Sequence, residues 1–305
     1  MALHQYLLCD VFTDAPFSGN ALAVFPDARG IAVPDMQRIA RELNLSETTF
    51  VLPAERGDTD VRMRIFTPQV EMPMAGHPTV GSTFALARAG VIAPGRARFV
   101  FGLNVGPVPV DLEWPDGTLS FVWMTQAAPA FGRTAPRELV AEAVGLTAAD
   151  LLDGRPVQEV SCGVPYWIVP VRDQAAVDRA VPDAAHLRRL GERVGVSLPV
   201  YLFAREASGG DHFYCRMFGP GIGVLEDPAT GSAAGPLGCY AVQHRLAADG
   251  RRGSGQNTTA ITIQQGVAMG RPSRMHVQVE GRPDAINSVR VGGRAVLIGR
   301  GELHL

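Results

Sequence analysis

Three stretches of this chain recur in the same order about 150 residues further on. Residues 36–46 have the pattern of an amphipathic helix running into a turn, and 48–52 (Thr-Thr-Phe-Val-Leu) have strand composition. Residues 187–197, followed by Val200-Tyr-Leu-Phe203, repeat that pattern. Arg64-Ile-Phe-Thr-Pro68 closes an alternating strand, as does Arg216-Met-Phe-Gly-Pro220. Gly76-His-Pro-Thr-Val-Gly-Ser82 is echoed by Glu226-Asp-Pro-Ala-Thr-Gly-Ser232. The offsets are 151 (Ser46 to Ser197), 152 (Arg64 to Arg216) and 150 (Ser82 to Ser232). Each echo alone is weak, but three in order at nearly constant offset imply two homologous halves. The expected division is 1–126, completed by the last strand at 295–305, and 127–294. The boundary falls near Ala127-Ala-Pro-Ala130, where a β-rich stretch with Trp114 and Trp123 gives way to the helical Arg137-Glu-Leu-Val-Ala-Glu-Ala143.

Each half contains two kinds of helix. Residues 36–44 and 187–195 carry charge on one face, whereas 79–89 and 232–242 are apolar or small almost all round, and enclosed helices are expected over 79–89 and 232–245. A helix with no polar face must be surrounded. Its neighbours are alternating strands: 60–66, 97–101 and 119–123 in the first half, then 212–218, 260–264 and 275–279 in the second. The pattern predicts an α/β (α+β) fold of two pseudo-symmetric halves, each a strongly curved, barrel-like sheet around one central helix.

Composition narrows the chemistry. The 305 residues are 46% hydrophobic and 19% charged, enough apolar material for two cores. A net charge of -2, with Arg188-Arg189 and Arg251-Arg252 as the densest basic clusters, argues against a nucleic-acid partner. All 28 Lys+Arg residues are Arg, so a pyridoxal or lysine Schiff base and a P-loop lysine are excluded. Cys9, Cys162, Cys215 and Cys239 lack metal-ligand spacing and read as reduced thiols. No secretory signal or membrane span is evident, and a cytoplasmic location is expected. Gly219-Pro-Gly-Ile-Gly223 fails as a dinucleotide loop, because the last glycine of the fingerprint falls at Val224 and no helix follows. Ser232 lacks the flanking glycines of a nucleophile elbow.

Both enclosed helices are introduced by a residue followed by proline, His77-Pro78 and Asp227-Pro228. Proline suits the first helical position, which leaves the next N–H groups, near 79–81 and 229–231, pointing out of the helix ends. Such ends bind anions, and Gly81, Gly231 and Ser232 leave room for close approach. Two of them facing one cleft suggest a small carboxylate substrate. The ordinary reading of Asp227 is an N-cap and that of His77 a hydrogen-bonded loop histidine. The turn Ser46-Glu47-Thr48 aligns with Ser197-Leu198-Pro199, so a carboxylate stands where the second half has leucine. An arbitrary turn glutamate is exposed; one before an apolar strand with an apolar counterpart faces a cleft. Partial desolvation would raise its pKa into the range of a general base.

Asp10-Val-Phe-Thr-Asp-Ala-Pro-Phe-Ser-Gly-Asn20, Asn44-Leu-Ser-Glu-Thr-Thr-Phe50, Met74-Ala-Gly-His-Pro-Thr79, Glu226-Asp-Pro-Ala-Thr-Gly-Ser-Ala233 and Gly270-Arg-Pro-Ser273 together resemble the phenazine-biosynthesis PhzF-like family, over residues 8–275. The resemblance implies the diaminopimelate-epimerase fold and a homodimer. It implies that Glu47 is the acid/base that moves a proton, that His77 and Asp227 hold substrate or relay the proton, and that Asn20, Ser46, Gly76, Gly231 and Ser232 line the pocket. The family's type member isomerises dihydro-hydroxyanthranilate. The epimerase branch of the fold would require a catalytic cysteine at each helix entrance, and this chain has Ala75 in one loop and no Cys between Gly219 and Gly238 in the other. The expectation is therefore an isomerase acting on a small carboxylate, with no metal, nucleotide, flavin or pyridoxal and no membrane partner. A non-catalytic carboxylate-binding protein and a cofactor-free lyase or hydratase are the alternatives.

Overall fold

In the computed structural model, which describes residues 2–206, 209–247, 251–253 and 256–305, the chain divides into two compact units, Met1–Thr125 with Gly292–Leu305, and Gln126–Val291. The first unit contains β1 (Leu3–Val11), β2 (Asn20–Phe25), α1 (Val33–Leu43), β3 (Glu47–Pro53), β4 (Val61–Phe66), β5 (Glu71–Met72), α2 (Gly76–Arg88), β6 (Arg98–Leu103), β7 (Gly106–Glu113) and β8 (Phe121–Thr125). The second contains β9 (Ala130–Ala135), α3 (Arg137–Ala143), β10 (Val157–Ser161), β11 (Pro165–Pro170), α4 (Gln174–Arg179), α5 (Ala184–Val194), β12 (Val200–Arg205), β13 (His212–Gly219), β14 (Val224–Asp227), α6 (Gly231–Gln243), β15 (Arg251–Gly253), β16 (Gln256–Gln265) and β17 (Ser273–Arg282). β18 (Ala285–Gly293) then leads to β19 (Ala295–His304), which returns to the first unit and pairs antiparallel with β1.

The two units repeat one ladder. In the first, β1 pairs antiparallel with β2, β2 parallel with β3, β3 antiparallel with β4, β4 parallel with β6, and β6 antiparallel with β7. In the second, β10, β11, β12, β13, β16 and β17 pair in the same sequence of senses. Registers agree as well: Phe50 faces Arg64, and 152 residues on, Leu202 faces Arg216. Each arginine sits over an aromatic ring of its own strand, Phe66 or Phe218, and grips a glutamate with two bonds. Arg64 holds Glu71 at 2.8 and 2.6 Å, and Arg216 holds Glu226 at 2.7 and 2.8 Å.

The central helices explain why the sheets curve. α2 touches β1, β2, β3, β8 and β19, and α6 touches β10, β11, β16 and β17. Residues 76–86 of α2 are all buried, as are the residues of α6 from Ala233 to Val242. Small residues let strands close on the helix: a Cβ on Gly81 would come within 2.6 Å of both Leu22 and Val11. Gly81 therefore serves helix–sheet packing, where sequence reasoning had assigned it to ligand approach. Hydroxyls inside the enclosed helix are satisfied locally, Thr79 Oγ1 donating to Ala75 O and Thr83 Oγ1 to Thr79 O, both at 2.8 Å.

The amphipathic helices cover the outside of each sheet. α1 buries Met36, Ile39 and Ala40 among Phe25, Phe50 and Phe66, and ends at Asn44 in the left-handed region (φ 50°). α5 is capped by Asp183, which accepts from the N–H groups of Ala185 and His186, and ends at Gly195 (φ 75°). Among the described residues no helix is long and apolar enough to cross a membrane.

The structure moves two details of the repeat. α2 starts at Gly76 and α6 at Gly231, so Pro78 is the third helical residue and Pro228 precedes its helix altogether. Proline is tolerated through the whole first turn, where its missing N–H has no acceptor, so it marks a helix start only to within that turn. The equivalent residues are consequently Gly76 and Gly231, 155 apart, and not Gly81 and Gly231. Seven residues separate Phe218 from Glu226, against four between Phe66 and Glu71, and the three extra account for the change of offset from 152 to 155.

Candidate active site

In the first unit, three of the residues singled out in the sequence come together. Asn20 opens β2, Glu47 opens β3, and His77 is the second residue of α2. Leu22 faces Glu47 across the parallel pair, which sets Asn20 and Glu47 at the same end of the sheet as the α2 entrance. Asn20 Nδ2 lies 3.2 Å from His77 Nδ1, and His77 Nε2 lies 3.2 Å from Glu47 Oε2. The second contact is at hydrogen-bonding distance but off hydrogen-bond alignment. The imidazole is 5% exposed and burial holds its pKa down to about 3, so the ring is neutral at any ordinary pH. With Asn20 donating to Nδ1, the single ring proton resides on Nε2, facing the glutamate. His77 thus turns its N–H edge toward Glu47, within a helix and not on a loop. The Glu47 side chain retains 14% exposure. Ser46 sits half-buried in the turn before β3, and Gly76 is buried at the first position of α2.

In the second unit, Asp227, Gly231 and Ser232 gather at the entrance of α6. Asp227 is the last residue of β14 and is 7% exposed. It does not cap the helix; Thr230 occupies that position, and its hydroxyl donates to Asp227 Oδ2 at 2.6 Å. Gln265, the last residue of β16 and wholly buried, uses its entire amide here. Nε2 donates to Asp227 O (2.7 Å) and Thr230 Oγ1 (3.0 Å), while Oε1 accepts from Tyr201 OH (2.8 Å) and Thr230 N (3.3 Å). Burial, with Cys215 and Asp227 nearby, raises the Tyr201 phenol well above its ordinary pKa, so it remains a donor. Ser232 Oγ meets Tyr166 OH at 2.7 Å, and Gln126 Nε2 holds Gly231 O at 2.8 Å. Ser273 Oγ donates to Pro228 O at 2.8 Å, which gives the Gly270-Arg-Pro-Ser273 motif a structural task.

The N–H groups lacking an intrahelical acceptor follow the corrected helix starts. They belong to Gly76 and His77 in α2 and to Gly231 and Ser232 in α6, whose next two N–H groups, of Ala233 and Ala234, already bond Thr230 O. The expected anion-binding groups near 79–81 lie inside the helix instead.

Sequence reasoning missed Thr230, Gln265, Tyr201 and Tyr166. Only Thr230 left a trace, three residues after Asp227; a glutamine ending an alternating strand looks like a surface residue. The four cysteines are free and buried. Burial pushes the Cys9 thiol up to about 12 and raises Cys215, while Cys162 is raised by the Cys239 thiol beside it and then by burial, which keeps these thiols protonated. Among the described residues no group of three or more His, Cys, Asp and Glu is arranged to hold a metal ion.

Comparison with known proteins gives consistent results. The family described as phenazine biosynthesis-like protein, PhzC-PhzF, matches residues 9–301. A trans-2,3-dihydro-3-hydroxyanthranilate isomerase of Pseudomonas aeruginosa is 37% identical over 304 residues, covering 99% of this chain and 100% of that protein. A PhzF-family protein of Bacillus anthracis superposes with a TM-score of 0.88 at 28% identity over 100% of both chains. A Pseudomonas aeruginosa structure described as a predicted epimerase superposes at 0.79 with 33% identity, covering 98% of this chain and 99% of its own.

Proposed function

The chain belongs to the phenazine biosynthesis-like PhzC-PhzF family and is an isomerase, and from that premise we propose that it relocates a proton on a small cyclic carboxylate with Glu47 as the acid/base. The observation that carries this reading is the Asn20–His77–Glu47 array. A neutral imidazole whose tautomer is fixed by Asn20 turns its N–H edge toward Glu47 Oε2 at 3.2 Å, and the carboxylate takes the carbon-bound proton. Because the histidine is uncharged, it sets no cation against the carboxylate. After abstraction the glutamic acid returns the proton to another carbon of the same ring face, and no second base is needed. The chain has no lysine for a Schiff base, so the reading uses side-chain acid/base chemistry alone.

Asp227, Gly231 and Ser232, with Ser46 and Gly76, are the residues to which we assign substrate binding. The substrate class rests on the similarity to the Pseudomonas aeruginosa isomerase, and trans-2,3-dihydro-3-hydroxyanthranilate is the first compound to test. Glu47→Gln keeps the size and reach of the side chain but cannot accept a proton from carbon. The expected result is a loss of about 10²- to 10⁴-fold in kcat with KM little changed. A product of the same mass as the substrate separates isomerisation from a lyase or hydratase reaction. Wild-type turnover by Glu47→Gln would remove Glu47 from the role.

A further inference from the structure

The duplication supplies an internal control for the Asp227 cluster. Ladder registers fix the correspondence: Ile65 faces Met72 in the first unit, and Met217, 152 residues on, faces Asp227 in the second. Ala75 and Thr230 are the N-cap residues of the two central helices. Thr49 faces Ile65 as Tyr201 faces Met217. Val61 faces Phe101 as Phe213 faces Ile263, so Leu103 and Gln265 occupy the same place two residues further along. Where the second unit has Asp227, Thr230 and Gln265, the first has Met72, Ala75 and Leu103, and the first unit folds on the same ladder. The fold does not require a polar group at any of these three positions.

Three replacements at mutually contacting positions make one closed network. Gln265 contributes four bonds to it and is wholly buried, so each of its amide atoms was matched to a partner. A buried polar set is costly unless every member is satisfied, and apolar side chains are adequate here in the duplicate. We propose that Gln265 is a positioning residue of the isomerase: it locks Thr230 and the Asp227 backbone, so that the Thr230 hydroxyl holds Oδ2 and fixes the direction of the Asp227 carboxylate. The inference rests on the assignment of Asp227 to substrate binding. Gln265 itself touches no reacting atom and acts only through Asp227 and Thr230.

The test is a double-mutant cycle on kcat/KM with trans-2,3-dihydro-3-hydroxyanthranilate, using Gln265→Leu, Asp227→Asn and the double variant. Expected is a 10- to 100-fold loss for Gln265→Leu, the scale of a carboxylate displaced by about 1 Å. The double variant should be no worse than Asp227→Asn alone, because the glutamine has nothing left to position. A fourth protein, Tyr201→Phe/Asp227→Met/Thr230→Ala/Gln265→Leu, makes these positions apolar, three of them with the first unit's own residues. It should melt no lower than Gln265→Leu, since orphaned partners are removed together, and it should be inactive. Multiplicative losses in the cycle would overturn the inference, because a purely structural role adds independently. Wild-type kcat/KM in Gln265→Leu, or activity in the fourfold variant, would overturn it too. Wild-type kinetics in Asp227→Asn would instead refute the assignment of Asp227 on which the inference stands.

Discussion

Buried, neutral His77 should make this protein lose stability in acid in a way that one substitution can isolate. In the folded chain burial holds its pKa to about 3, against 6.5 for an unburied imidazole. A folded-state pKa below the unfolded value means that the stabilisation is complete above pH 6.5 and is lost as pH falls towards 3, because only the unfolded chain takes up the proton in that window. One proton corresponds to about 1.4 kcal/mol per pH unit. Between pH 6.5 and 4.5 the histidine should therefore remove roughly 2–3 kcal/mol of unfolding free energy. Gln at this position spans a similar length and does not titrate. Urea unfolding of wild type and His77→Gln at pH 7.0, 6.0, 5.0 and 4.5 gives two curves in which all other groups titrate alike. The wild type should fall more steeply, by up to one proton, and His77 imidazole NMR shifts should stay those of a neutral ring down to pH 4.5. Parallel curves, or an imidazole titrating near pH 6, would refute both the linkage and the neutral state assigned to His77.

Two further outcomes follow from the packing. Arg216→Met should destabilise the protein by about 3 kcal/mol in urea titrations, because it strands Glu226 and takes from the Ala180 carbonyl its side-chain donor; a change under 1 kcal/mol would contradict this. Gly81→Ala should cost roughly 1–3 kcal/mol through the 2.6 Å approach to Leu22 and Val11, whereas Gly57→Ala, with nothing within 4 Å of its Cβ, should shift the melting temperature little.

How far the sequence spoke for itself depended on the kind of pattern involved. The repeated strands were legible because alternation and β-branched composition survive in both halves, so Arg64 and Arg216 could be aligned and the ladders agree. The helix entrances were placed five residues out of register in the first half. A Gly-Ser pair at 81–82 matches the one at 231–232, while the helix starts set Gly76 and His77 against Gly231 and Ser232. Short runs of small residues carry little register information; hydrogen-bonded strands carry a great deal. Glu47 is visible as a carboxylate with an apolar counterpart, Leu198 by the sequence offset of 151 and Pro199 by the strand registers at 152. Gln265, Thr230 and Tyr201 were not, since their polarity is absorbed by one another and only tertiary contact reveals it.

The central claim is that Glu47 moves a carbon-bound proton. The measurement is proton NMR of trans-2,3-dihydro-3-hydroxyanthranilate incubated in D₂O with wild type or Glu47→Gln, alongside binding of the same compound to each. Wild type should relocate a ring hydrogen or exchange it for deuterium. Glu47→Gln should bind comparably and do so about 10²- to 10⁴-fold more slowly. Equal rates of exchange by the two proteins would contradict the account.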